Sequence, residues 1–140
     1  MKIDFKPFEC FMTHSTWFSR TKKFVPMGIL WHDTGCDNKW LKRYVQPYAG
    51  DKDYDAKLKK LGKNRNGNDW NHTDKQAGLN FWVGCFDDGS VGTVQAGPSD
   101  WRPWGCGAGK YGSLNDTCIQ WEINSSQGLH VEKSALNKSH

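Results

Sequence analysis

Val25-Pro26-Met27-Gly28-Ile29-Leu30-Trp31-His32 is the stretch of this sequence that decides the fold. It is a short apolar run, opened by a Pro and a Gly, that ends on a polar side chain. Such a run is typical of a buried β-strand, here with His32 near its carboxyl end. Asp33-Thr34-Gly35 then predicts a turn.

The sequence downstream alternates helical and extended patterns. Asn38 is placed to cap a helix that cannot continue past Pro47, Gly62 is placed to end a second helix, and an Asp-Gly turn joins two apolar runs. The predicted elements, in order, are helices at 38–45 and 55–61, a surface loop at 64–71, a hairpin at 79–95 and a strand at 118–123. This order predicts an α/β fold: a single domain with a central mixed β-sheet flanked by helices.

Length and composition are those of one globular domain of 140 residues, 36% of them hydrophobic. We divide it into an irregular N-terminal arm (1–24), the domain proper (25–123) and a polar tail (124–140). No apolar run approaches the roughly 20 residues of a membrane span. The first residues do not form the apolar core of a signal peptide, which predicts a cytoplasmic protein. The 5 Cys are odd in number and contain no Cys-x-x-Cys pair, which favours reduced thiols and disfavours a zinc ribbon.

The net charge of +4 is compatible with several partners. Nucleic acid or a nucleoprotein, the anionic bacterial wall and an acidic protein face all remain open. The basic residues concentrate between Lys52 and Arg65, a segment that also carries acidic residues and is equally explained as a solvated helix face.

Six motifs, in one order, carry a resemblance to a known family. They are Gly28-Ile29-Leu30-Trp31-His32-Asp33-Thr34-Gly35, Leu41-Lys42-Arg43-Tyr44-Val45-Gln46-Pro47, Trp70-Asn71-His72, the hairpin ending in Thr93-Val94-Gln95, Trp101-Arg102-Pro103-Trp104-Gly105-Cys106-Gly107 and Ile119-Gln120-Trp121-Glu122-Ile123. In this order the chain resembles the amidase-2 family of zinc-dependent N-acetylmuramoyl-L-alanine amidases, in particular its phage and clostridial endolysin branch. The resemblance implies the peptidoglycan-recognition-like form of the α/β fold.

The resemblance also implies a site. His32 matches the first zinc ligand, Glu122 matches a strand carboxylate that assists as general base, and Trp104, Gly105 and Gly107 match the loop bordering the substrate groove. Zinc in this family activates water for attack on the bond between N-acetylmuramic acid and L-alanine, which requires three protein ligands and one open position. Each residue also has an ordinary explanation: a hydrogen-bonded structural histidine, a solvent-facing strand carboxylate, and packing aromatics in a loop.

After Ile123 the resemblance ends. The family continues with a helix, a strand and a loop that carry the other two zinc ligands, and no segment here matches them. We therefore expect a C-terminally truncated domain that lacks its last helix and strand. His130, His140 and Cys118 have no spacing that suggests replacement ligands, so we expect zinc not to be held by this chain alone. The missing helix would leave apolar sheet surface exposed, which predicts a protein partner or a homo-oligomer.

Three functions follow from these expectations. The first is a pseudoenzyme, an endolysin-derived scaffold that a phage or mobile element reuses to bind or inhibit a protein, for example a host defence complex. The second is an active amidase completed by a partner chain, a domain swap or the tail. The third is a non-catalytic module that binds peptidoglycan. Either wall-directed protein would reach its target after holin-type release.

Overall fold

A five-stranded mixed sheet organises the part of the chain that the computed structural model describes, residues 6–124. Its strands are β1 (Phe8–Glu9), β2 (Gly28–Asp33), β3 (Phe81–Cys85), β4 (Val91–Gln95) and β7 (Cys118–Ile123); β5 (Ala108–Gly109) and β6 (Gly112–Ser113) form a separate ribbon. The order across the sheet is β1-β4-β3-β7-β2, with only β3 and β4 antiparallel. The predicted single α/β domain with a central mixed sheet is confirmed at this level.

The β3–β4 hairpin and strand β7 lie where the sequence predicted them. The hairpin turn places Gly89 at φ 84°, a left-handed conformation that glycine adopts without a steric cost. Strand β7 lies between β3 and β2 and pairs in parallel with both. Its register sets His32 of β2 beside Glu122 of β7. The fold therefore brings together residues that are far apart in the sequence.

Two helices lie among the described residues: α1 (Thr16–Arg20) and α2 (Tyr54–Leu61). Helix α2 confirms the prediction at 55–61 and ends at Gly62, whose φ of 83° lets its N–H bond to the Leu58 carbonyl at 2.8 Å. The helix predicted at 38–45 is wrong in extent, because only the 3-10 turn Leu41–Arg43 forms. Asn38 accepts a hydrogen bond from the Trp40 N–H but does not cap the turn, whose N-cap is Trp40 itself, and the chain leaves the helical path before Pro47.

The core lies between the sheet and the segments that carry α2 and the 3-10 turn. Trp82 of β3 is fully buried; the Tyr44 ring stacks on it at 4.9 Å and the Trp70 ring meets it edge-on at 4.9 Å. Leu41 and Leu61 fill the space around this aromatic group. Aromatic side chains that bury this much area supply most of the stabilisation available to a domain of this size.

The segment that we expected to be an irregular arm contributes to the domain. It supplies β1, which pairs in parallel with β4, and helix α1. Trp17 is fully buried, and its indole N–H donates to the Arg102 carbonyl at 2.7 Å. A Cβ on Gly78 would lie 2.0 Å from the Trp17 ring, so glycine is needed there for the ring to pack. The boundary at residue 24 itself stays a prediction.

Strand β2 corrects the prediction made from its apolar run, because it is an edge strand rather than a buried one. Within residues 6–124 it pairs with β7 alone. Ile29 is 60% exposed and Trp31 is 54% exposed. Periodicity cannot distinguish a central strand from an edge strand, because both present apolar runs. Apart from Asn124, the predicted polar tail lies outside the described residues.

No helix among residues 6–124 is long and apolar enough to cross a lipid bilayer.

Candidate functional site

The candidate site forms around β7, where its neighbour β2 ends. His32 Nε2 lies 2.7 Å from Oε1 of Gln120, a fully buried side chain two residues before Glu122. Gln120 Nε2 in turn donates to Asn115 Oδ1 at 2.8 Å. His32 is therefore a hydrogen-bonded residue at one end of a buried polar network.

The network is anchored to the backbone of the 104–107 loop. Asn115 Oδ1 accepts from the N–H groups of Gly105 and Cys106 at 3.1 and 3.2 Å, and Asn115 Nδ2 donates to the Cys106 carbonyl at 2.6 Å. Asn80, also fully buried, accepts from the Gln120 backbone N–H at 3.0 Å and donates to the Trp101 carbonyl. These bonds satisfy polar groups that would otherwise be costly to bury.

The backbone N–H donors of the 104–107 loop determine the direction of the hydrogen bond between His32 and Gln120. Because the N–H of Gly105 can only donate, Asn115 presents its oxygen, and Gln120 must present its NH₂ group to that oxygen. The oxygen of Gln120 then faces His32, so His32 Nε2 carries a hydrogen and donates it. A histidine binds a metal through an unprotonated nitrogen, which leaves only Nδ1 of His32 for that role.

The described residues do not fit the zinc site that the resemblance implies. A catalytic zinc needs three protein ligands. Across residues 6–124, no three His, Cys, Asp or Glu side chains converge in a way that would hold a metal ion. His130 and His140 lie outside that range. His32 donates a hydrogen bond to Gln120, and its role as a zinc ligand stays a prediction.

Glu122 is buried, with 8% of its surface exposed, unlike an ordinary solvent-facing strand carboxylate. It is the register partner of His32 on one side and of Trp82 on the other. Residues paired in this way lie on the same face of the sheet, with neighbouring strands about 4.8 Å apart. The fold therefore places the two residues together, while their catalytic roles stay predictions.

The three predicted groove residues have different environments. A Cβ on Gly105 would lie 2.0 Å from Gln120 Oε1 and 3.0 Å from His32 Nε2, so the Gly105 backbone lies directly against the network. Gly107 is exposed and has no atom within 4 Å of such a Cβ. Trp104 is half-buried and its backbone pairs with Gly78. Only Gly105 belongs to the His32 site by contact.

The opposite face of β2 is apolar and open. Val25, Met27, Ile29 and Trp31 alternate along the chain, and all four are exposed, the first two at 80% each. Ile29 and Trp31 lie on one side of β2, because alternate residues of a strand share a face, and Val25 and Met27 lie in the segment just before it. We call these four exposed residues the β2 stripe.

An aromatic ladder extends this stripe across the sheet. The Trp31 ring lies 5.0 Å from the Trp121 ring, which stacks on Phe81 at 4.3 Å and 18°. Trp31 is more than half exposed at the edge, whereas Phe81 is buried on β3. Rings and aliphatic side chains at an unpaired sheet edge form a surface that proteins commonly use for association.

Sequence reasoning missed Gln120 and Asn115, which hold the site together. Neither Gln nor Asn by itself indicates a functional site, because amide side chains are equally common in turns, in loops and on surfaces. The available signal was Gln120 inside the apolar run 118–123, where a buried polar side chain requires partners.

All five thiols are unpaired and within the described residues. Burial raises the pKa of the Cys10 thiol to about 12, and burial likewise raises the pKa of Tyr44 to about 12. Nucleophilic cysteines have depressed pKa values, so Cys10 is a packing residue. Cys106 lies at the network, with its Sγ 3.2 Å from Asn115 Oδ1 and 3.6 Å from Gln120 Nε2.

No protein-family model, no curated protein and no solved structure matches this chain.

Proposed function

We propose that this protein is a non-catalytic, amidase-like scaffold that binds another protein through the β2 stripe. The observation that carries the proposal is the exposure of four apolar side chains, two of them on β2, an edge strand within residues 6–124, and two in the segment just before it. Isolated exposed apolar residues are ordinary, but a group of four beside an unpaired strand edge is not. The partner is a second protein or a second copy of this chain; a host defence complex is the specific form that the resemblance suggests.

The polar network supports the non-catalytic part of the proposal. Catalysis of amide hydrolysis by zinc requires several ligands and an open coordination position. In the described residues, His32 instead donates from Nε2 to Gln120, and Gly105 packs against both. A network that is hydrogen-bonded throughout favours a structural role, in which it holds β2 and the 104–107 loop on β7.

The binding experiment compares a variant of the β2 stripe with a control on another strand. Ile29→Thr with Trp31→Thr removes two members of the β2 stripe while keeping residues that suit a strand. Val91→Thr is the control for loss of an exposed apolar side chain, because Val91 is 74% exposed on β4, and two strands lie between β4 and β2. Analytical ultracentrifugation and affinity capture from host lysate should show a complex for the wild type and for Val91→Thr, and its loss for the double variant. A monomer that captures the same proteins with and without the stripe would overturn the proposal.

Zinc analysis separates this proposal from a completed amidase. The protein is purified without chelator, and its zinc content is compared with that of His32→Ala. We expect zinc near zero in both. Near one zinc per chain, lost in His32→Ala and accompanied by wall digestion that also needs Glu122, would replace the proposal with an active amidase completed from outside residues 6–124. Binding of purified peptidoglycan that is lost in Trp104→Ala would instead support a wall-binding module.

A further inference from the structure

A basic groove lies at the other edge of the sheet, between β1 and α2. Its volume is about 840 Å³, within the range of roughly 300–1,000 Å³ typical of ligand pockets. Four lysines line it: Lys6, Lys52, Lys57 and Lys60. None of the site residues described above belongs to it. It is therefore a second surface, separated from the β2 stripe by the width of the sheet.

The groove lysines outnumber the two carboxylates that share the groove with them, Glu9 and Asp53. Among residues 6–124, the ion pairs of lysine involve Lys23 and Lys42, neither of which lines the groove. Lys60 lies over the Phe86 ring, with Nζ 4.5 Å from the ring centroid. An excess of lysines in a concave surface raises the local concentration of anions. The groove is thus suited to an acidic ligand.

The remaining lining determines which acidic ligand fits. The groove has an aromatic wall made by Phe8 and Phe86, which meet edge-to-face at 5.8 Å, and this wall suits an apolar side chain. Glu9 and Asp53 also line the groove. These carboxylates would repel the continuous charge of a phosphate backbone, whereas a peptide carries separate acidic side chains and uncharged backbone between them.

We propose that the groove binds an acidic, extended segment of a partner protein. Aspartate or glutamate side chains of that segment pair with Lys57 and Lys60 on α2 and with Lys52, which lies just before this helix. An apolar side chain of the segment packs on Phe8, which itself rests on the buried Phe86 ring. The two carboxylates of the groove exclude strands of uniform negative charge, which gives the groove its preference for peptide over nucleic acid.

The test measures fluorescence anisotropy of a short labelled peptide in which glutamates alternate with leucines. Lys57→Glu with Lys60→Glu should weaken binding by about tenfold or more, because two attractive contacts become repulsive. Lys63→Glu with Arg65→Glu is the matched control, since it changes the net charge equally and neither residue lines the groove. Lys52→Glu, which lies outside α2, should weaken binding in the same direction without touching the helix.

Four results would overturn the proposal. One is no measurable binding of the peptide at low salt. The second is an equal loss of affinity in the groove variant and the control, which would show an effect of net charge alone. The third is tighter binding of an oligothymidylate of the same charge with the same dependence on Lys57 and Lys60, which would make the groove a nucleic-acid surface. A glutamine-for-glutamate peptide that binds as well as the acidic one would contradict it equally.

Discussion

The two faces of strand β7 differ sharply in the side chains that they bury. On one face, Gln120 is fully buried and Glu122 nearly so, and Gln120 joins a network of hydrogen bonds. On the other, Trp121 and Ile119 are only partly buried, and the ladder that starts at Trp121 reaches solvent at Trp31. On β7, the buried face therefore carries the polar side chains and the more exposed face carries the apolar ones. The buried polar face is fixed by its partners, whereas the apolar face has surface left for a partner.

The difference assigns the two faces different roles: the polar face stabilises the fold, and the apolar face is available for binding. A buried amide whose donors and acceptors are matched cannot be changed without leaving other groups unsatisfied. An exposed ring at a sheet edge contributes little to folding, because much of its surface stays in water. Substitutions on the two faces should therefore affect different measurements: stability on one face and association on the other.

Gln120→Leu should produce the largest loss of stability. Leucine keeps the approximate size but removes the acceptor of the His32 N–H and one donor to Asn115 Oδ1, which keeps its bonds from Gly105 and Cys106. A group left without its partner costs about 1–3 kcal/mol, so the free energy of unfolding should fall by about 2–3 kcal/mol. Urea unfolding followed by tryptophan fluorescence measures it. An unchanged midpoint would mean that the network does not hold the buried face.

The sequence predicted those parts of the domain that local signals determine. The Asp-Gly turn specified the β3–β4 hairpin, and Gly62 specified the end of α2. Strand β7 was found because its apolar run has no helical period. The sequence did not predict the position of β2 at the edge of the sheet. That position depends on which strands pair with each other, and no single segment determines this pairing.

The candidate site was predictable only in part, for a related reason. The motif order suggested His32 and Glu122, and the parallel register of β2 and β7 does set them side by side. The contacts of His32 depend on Gln120 and Asn115. The roles of these two residues become visible only when the 104–107 loop is seen packed against β7. Which amide side chains are buried depends on the tertiary structure, so residue type alone does not identify them.

Gly105→Ala should have an intermediate effect on stability, and Gly107→Ala should have almost none. An alanine methyl at position 105 would meet Gln120 Oε1 at 2.0 Å and Leu79 Cδ2 at 2.3 Å, whereas at position 107 it would meet nothing within 4 Å. Forcing one extra methyl into a packed site costs about 1–3 kcal/mol. Thermal unfolding of the two variants, which carry the same chemical change in one loop, measures the difference. Equal melting temperatures would contradict the close packing of the loop on the network.

Trp31→Thr should lower stability less than Gln120→Leu or Gly105→Ala, although it changes the largest side chain of the β2 stripe. More than half of the Trp31 surface is exposed, and the Trp121 ring at 5.0 Å is the one aromatic contact that it loses within the described residues. Such a contact is worth roughly 0.5–1.5 kcal/mol, and threonine suits an edge strand, so the loss should be about 1 kcal/mol or less. Urea unfolding at low protein concentration, where association does not contribute, gives the value. A loss as large as that of Gln120→Leu would mean that Trp31 belongs to the core, and the β2 stripe would then have no surface to offer a partner.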